Sequence, residues 1–399
     1  MCHMLTLLVK ANCMAISIDP SLIKLSGRIF DPSTVLYGSK NADFRGSVKM
    51  GGWKLIGQQL TIPSGGKKFA LLQITDENSY ALDDGPWANA VGYIQDGLST
   101  LGLNHSYHVG AVDDHIADLS KPNRYATKTE EDANEKVIET KLKNLKVEND
   151  VSLLFVLLPR KSQEIYAMVK RMGDIKVGIH TICVALKSPK SGLEMASHNS
   201  VHWNLALKAN MKLGGTNQWL GQTWTKSDVL ARSTMFVGID VTHPSRGSQQ
   251  GAPSIVGIAS TFETHSYSRW VAETGTQFGD RKSCEIVPDL ATPLIGRIKD
   301  WFTYNERQLP DQIIIYRDGG SEGFFTRILD TEWPQITTAI DTVRTQADQP
   351  SWDPAVVLIC AIKRNSTRFF PDQGINKNLL GSQGNLQADC SSTAMSPST

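Results

Sequence analysis

The chain has 399 residues, of which 40% are hydrophobic and 20% are charged, a composition typical of globular domains. Lys and Arg total 41 against 40 Asp and Glu, so net charge gives no sign of nucleic-acid binding, and an anionic partner would need a local basic patch. The six cysteines form no CxxC pair, which argues against a zinc ribbon or disulfide scaffold and predicts a reducing, cytoplasmic location, with a nuclear pool left open. No apolar segment is long enough to cross a bilayer, so we expect no membrane partner.

The first part of the chain contains few clear elements. Residues 1–68 combine frequent Gly and Pro with no helical periodicity, which predicts an extended connector. A short apolar run at 69–74 is followed by mixed polar and Gly-containing sequence up to residue 120. Residues 121–150 are strongly charged but keep three apolar residues at helical spacing, which predicts a surface helix. These three residues are Ile138, Leu142 and Leu145.

Regular alternation of strands and helices begins at Val151. The predicted elements are strand Val151–Leu158, helix Gln163–Met172, strand Val177–Leu186 and helix Asn199–Leu213. Gly214 and Gly215 follow the last helix as a stop signal. This β-α-β-α order predicts a parallel, Rossmann-like sheet covered by helices. No GxGxxG motif follows the first of these strands, which argues against an unrelated dinucleotide-binding enzyme.

A second unit begins near Ser233. Its predicted elements are strands 234–240, 254–262 and 268–275, helix 289–303, strand 312–317, helix 321–344 and strand 355–362. The β-β-β-α-β-α-β order is that of a ribonuclease H-like domain. The sequence therefore predicts an α/β protein in which a Rossmann-like domain precedes a ribonuclease H-like one. Residues 373–399 are rich in Gly, Ser, Asn and Gln, which predicts a disordered tail.

Two predicted strands of the second unit lead into aspartates, Asp240 and Asp318. A carboxylate at the exit of a buried strand must be solvated, paired or bound to a cation. On neighbouring strands, the two would form half of a magnesium site, with Glu285 from an intervening loop as a candidate third carboxylate. Taken singly, each aspartate also fits a turn or a helix cap, and a loop glutamate is usually solvated.

Basic residues form a second pattern, on the predicted helices of the first unit. Tyr166 and Lys170 are four residues apart on one helix, and Lys208 and Lys212 are four apart on another, so each pair shares a helix face. The crevice of a parallel sheet lies at the carboxyl ends of its strands, so these groups are candidates to bind a terminal phosphate while the tyrosine stacks on a base. The alternative is a set of solvated lysines and a tyrosine at the edge of the core.

Six segments, taken in chain order, resemble motifs of a single protein family. They are Gly27–Gly38, Tyr166–Lys170, His180–Val184, Leu207–Gly215, Gly238–Pro244 and Tyr316–Gly323. Together they resemble the Argonaute family, and within it the eukaryotic, fungal-like members. The resemblance implies that residues 1–68 correspond to the family's second linker, 69–232 to its MID domain and 233–372 to part of its PIWI domain.

The resemblance also implies roles for individual residues. The residues that match those holding the 5′-phosphate of a guide RNA and stacking its first base are Tyr166, Lys170, Lys208 and Lys212. The loop 160–164 matches the one that senses that base. The positions that match residues near the guide backbone are Lys363, Thr367 and Arg368.

For catalysis, the resemblance implies that Asp240, Glu285 and Asp318 match three members of the family's tetrad, with Asp240 and Asp318 as ligands of Mg²⁺. The fourth member has no counterpart in this sequence, and Ile182 stands where the family usually has glutamine. We therefore expect a truncated Argonaute-like protein that binds guide RNA and complementary target RNA in gene silencing, alongside other silencing proteins, without cleaving. The alternatives are a magnesium-dependent guided endonuclease and an isolated MID module that binds 5′-phosphates beside a vestigial PIWI half.

Overall fold

The computed structural model of the protein describes the following residues: 28–29, 35–38, 59–110, 115–123, 125–186, 200–220, 230–245, 248, 251–264, 267–279, 285–319, 322–362 and 390–391. Most of the predicted connector and tail therefore lies outside the described residues. The chain divides into two compact units, and nearly all described residues belong to the one that spans 33–46 and 54–365. The other unit contributes the two-residue strands Arg28–Ile29 and Cys390–Ser391, which pair antiparallel.

The first sheet is entirely parallel. Its strands are β1 (Lys68–Asp76), β2 (Ser106–Tyr107), β3 (Ile116–Leu119), β4 (Leu153–Leu158) and β5 (His180–Ala185). They lie in the order β2-β1-β4-β5, and β3 also pairs with β1. All six residues of β4 are buried because helices cover both faces of the sheet, which explains why this strand reads as a continuous apolar run.

Helices on the two faces of this sheet form two separate cores. The helices are α1 (Asp84–Thr100), α2 (Lys128–Lys143), α3 (Gln163–Lys170) and α4 (Ser200–Lys212). Buried residues of α1 and α4 pack with Leu153, Phe155 and Leu157. Those of α2 and α3 pack with the alternate residues of β4. The predicted charged helix is confirmed, and its three apolar residues, Ile138, Leu142 and Leu145, are fully buried.

The second sheet is mixed. Its strands are β6 (Thr234–Thr242), β7 (Ser254–Thr261), β8 (Trp270–Gln277), β9 (Gln312–Asp318) and β10 (Ala355–Ala361), in the order β8-β7-β6-β9-β10. The first three strands form an antiparallel meander, and β9 lies parallel between β6 and β10. Helices α5 (Ala291–Tyr304) and α7 (Trp333–Gln346) cover one face. The predicted β-β-β-α-β-α-β order is confirmed, except that its second helix is divided.

The helix predicted at 321–344 is interrupted. The structure has a single 3₁₀ turn at Glu322–Phe324, then α6 (Phe325–Thr331), then α7, with Glu332 between the two α-helices. Pro334 lies in the first turn of α7, where its missing N–H has no cost. Glu332, between the two helices, is fully buried and pairs with Arg317.

Short pairings complete the described structure. The two-residue strands Val35–Leu36 and Trp219–Leu220 pair antiparallel, and Ile62 forms a bridge with Thr216. Among the residues described, no helix is both long and apolar enough to cross a membrane.

Candidate nucleic-acid interface and carboxylate centre

The outer face of α3 presents an aromatic ring beside a fixed ammonium group. Lys170 Nζ donates to the carbonyl and hydroxyl oxygens of Thr181, at 2.7 and 2.8 Å, and lies 5.7 Å from the centroid of the Tyr166 ring. The tyrosine is 49% exposed. The ring is therefore available for stacking, and the charge beside it is held in place by β5.

Lys208 and Lys212 bring two more charges to this region from α4. Burial lowers the pKa of Lys170, and the ammonium groups of Lys212 and Lys208 lower it as well, while Cys183 and Asp174 act in the opposite direction. Burial also lowers the pKa of His180, with further contributions from Lys212 and Lys170. The structure thus brings the three predicted lysines within electrostatic reach of one another. A bound anion would relieve their repulsion.

The end of α4 is fixed by a buried amide. Asn210 Oδ1 accepts from the backbone N–H of Ser64 at 2.7 Å, and its Nδ2 donates to Asn217 Oδ1 at 2.9 Å. Gly214 adopts a φ of +85°, and the N–H of Gly215 donates to the Asn210 carbonyl at 2.8 Å. The predicted helix stop is confirmed, and it sets the position of both lysines of α4.

A crevice opens at the carboxyl ends of β1, β4 and β5, where a parallel sheet offers its ligand site. Its volume is about 680 Å³, and its lining includes Asn78, Ser79, Arg160 and Lys161. Arg160 Nη1 lies 2.5 Å from Oδ2 of the buried Asp76, the last residue of β1. The predicted base-sensing loop therefore begins with an anchored arginine. Sequence reasoning missed Asp76, although it shows the same signal as Asp240, a carboxylate leaving a buried strand.

The structure brings Asp240 and Asp318 to the same edge of the second sheet. Ile239 and Arg317 are register partners on the parallel strands β6 and β9, and the two aspartates are the next residues. Asp240 is exposed and Asp318 is partly buried. The prediction that β6 ends at Asp240 is wrong by two residues, because pairing of Thr242 with Ile255 of β7 extends the strand.

Glu285 reaches the same edge from its loop and is held by two side chains. His243 Nε2 lies 3.0 Å from Glu285 Oε2, and Arg317 Nη1 lies 3.6 Å from Oε1. Arg317 Nη2 also donates to the Glu285 carbonyl. A Cβ on Gly319 would come within 2.8 Å of Glu285 Oε1, so this carboxylate abuts the residue that follows Asp318. Sequence reasoning missed both holding residues, which are three positions after Asp240 and one before Asp318.

The donor set fits a magnesium ion only in part. Asp240 and Asp318 supply the one or two carboxylates that Mg²⁺ usually takes from a protein, with water and phosphate completing the shell. Glu285 is engaged by His243 and Arg317. Across the described residues, no three His, Cys, Asp or Glu side chains lie close enough together to hold a metal ion.

The remaining predicted positions have different outcomes. Lys363, Thr367 and Arg368 lie outside the described residues. Ile182 is 2% exposed and packs in the core beneath α1 and α4, so it presents no polar group to the crevice.

Comparison with known proteins yields one family and several similar structures. The Piwi domain family matches residues 153–389. A structure of Kluyveromyces polysporus Argonaute with a guide RNA is similar with a TM-score of 0.71 and 18% identity, over 92% of this chain and 40% of that one. The C-terminal lobe of a budding yeast Argonaute is similar with a TM-score of 0.70 and 19% identity, over 90% of this chain and 70% of that one. The MID-PIWI domains of N. crassa QDE-2 are similar with a TM-score of 0.56 and 28% identity, over 76% of each chain.

These similarities confirm the predicted fold class, a Rossmann-like MID domain followed by a ribonuclease H-like PIWI domain. They also confirm the resemblance to Argonaute proteins. The chain spans about two fifths of the length of the Kluyveromyces protein. At 18 and 19% identity, the two yeast structures show the fold alone.

Proposed function

The chain belongs to the Piwi domain family, and on that premise we propose that it binds the 5′-phosphorylated end of a small guide RNA in RNA silencing, without cleaving the paired target RNA. The observation that carries the proposal is that Lys212 and Lys208 lie close enough to Lys170 to lower its pKa, in addition to the larger effect of burial. Three ammonium groups that repel one another favour a multiply charged anion such as a terminal phosphate.

The neighbouring groups suit the first nucleotide of such a strand. The exposed ring of Tyr166 lies beside Lys170 and offers a stacking platform, a contact that typically contributes about 1–3 kcal/mol per base. Arg160, anchored by Asp76, faces the crevice with hydrogen-bond donors only. The lysines would therefore bind the phosphate, Tyr166 would stack on the face of the base, and Arg160 would meet its edge.

The first test compares single-stranded RNA with a 5′-phosphate and with a 5′-hydroxyl. The wild-type chain is expected to prefer the phosphate, and the double variant Lys208→Ala/Lys212→Ala is expected to lose at least about tenfold in affinity for it. Each charge-assisted hydrogen bond contributes about 1.5–3 kcal/mol, and about 1.4 kcal/mol corresponds to tenfold. Filter binding or fluorescence anisotropy at one fixed salt concentration measures both affinities, because phosphate contacts are salt-dependent.

A matched control removes two lysines from another helix. Lys128 and Lys143 of α2 have exposed side chains that pair with carboxylates on their own helix. The variant Lys128→Ala/Lys143→Ala changes net charge equally and is expected to keep the preference for a 5′-phosphate. Equal wild-type affinities for the two RNAs, or equal losses in the two double variants, would refute the proposed pocket.

The second part of the proposal is that the chain does not cleave RNA. Asp240 and Asp318 would hold Mg²⁺, which when bound polarises a phosphodiester and lowers the pKa of an attacking water. Glu285 remains tied to His243 and Arg317. Among the described residues, no group of three His, Cys, Asp or Glu side chains could hold a metal ion, and a site that fixes a metal to catalytic tolerance needs more ligands than Asp240 and Asp318 supply.

A single-turnover assay with a loaded guide, a fully matched target RNA and Mg²⁺ decides this point, and we expect the target to stay intact. Glu285, the candidate third carboxylate, lies against Gly319, the residue that follows Asp318. This position favours one other candidate function, a guided endonuclease. Cutting that disappears in both Asp240→Ala and Asp318→Ala would establish that function and overturn ours. Cutting that persists in both variants would indicate a contaminating nuclease.

A further inference from the structure

Two histidines close a loop on one edge of the first sheet. Strand β2 pairs with the start of β1 through Phe69 and Tyr107, and β3 pairs with its end through Gln73 and Ile116. The connection between β2 and β3 begins with His108 and ends with His115. Both imidazoles are therefore carried by segments anchored to the same strand.

His115 has a defined tautomer and an unused nitrogen. Its side chain is buried, with the residue 1% exposed, and its Nδ1 lies 2.7 Å from the carbonyl oxygen of Leu71. A carbonyl oxygen only accepts, so Nδ1 carries the proton and Nε2 presents a lone pair. Within the described part of the chain, this buried Nε2 has no hydrogen-bond partner. A buried acceptor in this state favours a ligand.

His108 faces the same small space. Its ring centroid is 5.6 Å from that of His115. A Cβ built on Gly110 would lie 2.6 Å from His115 Nε2 and 3.2 Å from His108 Nε2. Both nitrogens therefore border one volume, which stays open because residue 110 has no side chain.

We propose that His108 and His115 bind a divalent transition-metal ion of the zinc class through their Nε2 atoms. Imidazole nitrogen suits Zn²⁺, Cu²⁺ and Ni²⁺. A metal-binding histidine usually donates its other N–H to a carboxylate or backbone carbonyl, as His115 does to Leu71. Among the described residues, no third His, Cys, Asp or Glu joins the pair. The ion ties both ends of the loop to β1 and thereby stabilises the MID domain.

The test is a zinc titration of the full chain in competition with a chromophoric chelator. His108→Ala carries the decision, because this partly exposed residue can be truncated with little effect on the core. It is expected to weaken binding of the site's Zn²⁺ at least about tenfold, because it removes one of two protein ligands. The control is His105→Ala, whose imidazole already pairs with Ser64 and the Lys67 N–H, and it is expected to keep wild-type affinity.

Co²⁺ absorption and Gly110→Ala give independent checks. Bound Co²⁺ is expected to show d–d bands that His108→Ala removes and His105→Ala retains. The added methyl group of Gly110→Ala is expected to weaken Zn²⁺ binding by displacing the imidazoles, while circular dichroism confirms the fold. Wild-type zinc affinity in His108→Ala, or no zinc bound by the wild-type chain, would overturn the proposal. Binding lost equally in His105→Ala would also overturn it.

Discussion

Replacing Glu332 with alanine is expected to destabilise the PIWI half by about 3–5 kcal/mol, the typical cost of breaking a buried ion pair by removing one of its members. Arg317 and Glu332 are both fully buried, with Nε to Oε2 at 3.1 Å and Nη2 to Oε1 at 3.2 Å. The same carboxylate accepts from the Val287 N–H at 3.0 Å. Urea unfolding followed by tryptophan fluorescence measures the loss, because Trp301 and Trp352 are buried in this core.

Two further variants distinguish the effect of breaking a buried ion pair from the effect of removing an exposed carboxylate. Asp341→Ala removes a 65% exposed partner of Arg344 and is expected to cost less than about 1 kcal/mol. The double variant Arg317→Met/Glu332→Leu replaces both charges with apolar groups and is expected to recover most of the stability. A cost for Glu332→Ala no larger than that of Asp341→Ala would contradict the assignment of a buried ion pair.

The buried pair also connects the fold to the carboxylate centre. Gln335 of α7 accepts from the Leu290 N–H at 2.6 Å and donates to the Val287 carbonyl at 3.1 Å, next to the Glu332 contact. These bonds fix the segment that starts at Glu285. The side chains of Glu332 and Gln335 therefore position the loop whose glutamate lies against Gly319.

Strong local patterns allowed much of this fold to be predicted. The run at Leu153–Leu158 predicts a buried parallel strand because both faces are covered, and the structure buries every residue in it. Helix α1 was missed because glycines such as Gly92 and Gly97 weaken its pattern, at about 1 kcal/mol each relative to alanine. Gly97 lies against His202 of α4, where a Cβ would come within 2.8 Å of a backbone oxygen. Packing between helices, which sequence periodicity does not show, overrides local propensity here.

In the candidate sites, too, some contacts could be predicted from the sequence and others could not. The closeness of Asp240 and Asp318 could be predicted, because equivalent ends of parallel strands meet at one edge. The contact between His243 and Glu285 joins residues 42 apart in sequence and depends on the path of a loop. Arg160 meets Asp76 across two strands of the first sheet. Such pairings follow from the three-dimensional register and have no local sequence signal.

The close approach of Gly215 to Asn210 leads to the second large prediction. Gly215→Ala is expected to destabilise the MID domain by about 2–4 kcal/mol, from overpacking and from broken buried hydrogen bonds. A Cβ at this position would overlap the Asn210 amide and lie within 2.5 Å of its Cγ. Because that amide fixes the end of α4, affinity for a 5′-phosphate at Lys208 and Lys212 is expected to fall as well. Chemical denaturation and RNA binding measure the two effects.

The neighbouring glycine provides a control with a different physical cause. Gly214 has a φ of +85°, and a Cβ added to it would meet nothing within 4 Å, so Gly214→Ala is expected to cost about 1–2 kcal/mol through backbone strain alone. Asn210→Ala removes the group that a Cβ at residue 215 would strike. In that background, Gly215→Ala is expected to cost under about 1 kcal/mol, which a double-mutant cycle reports as strong coupling. Additive effects would mean that Gly215→Ala destabilises the protein for a reason other than contact with the Asn210 amide.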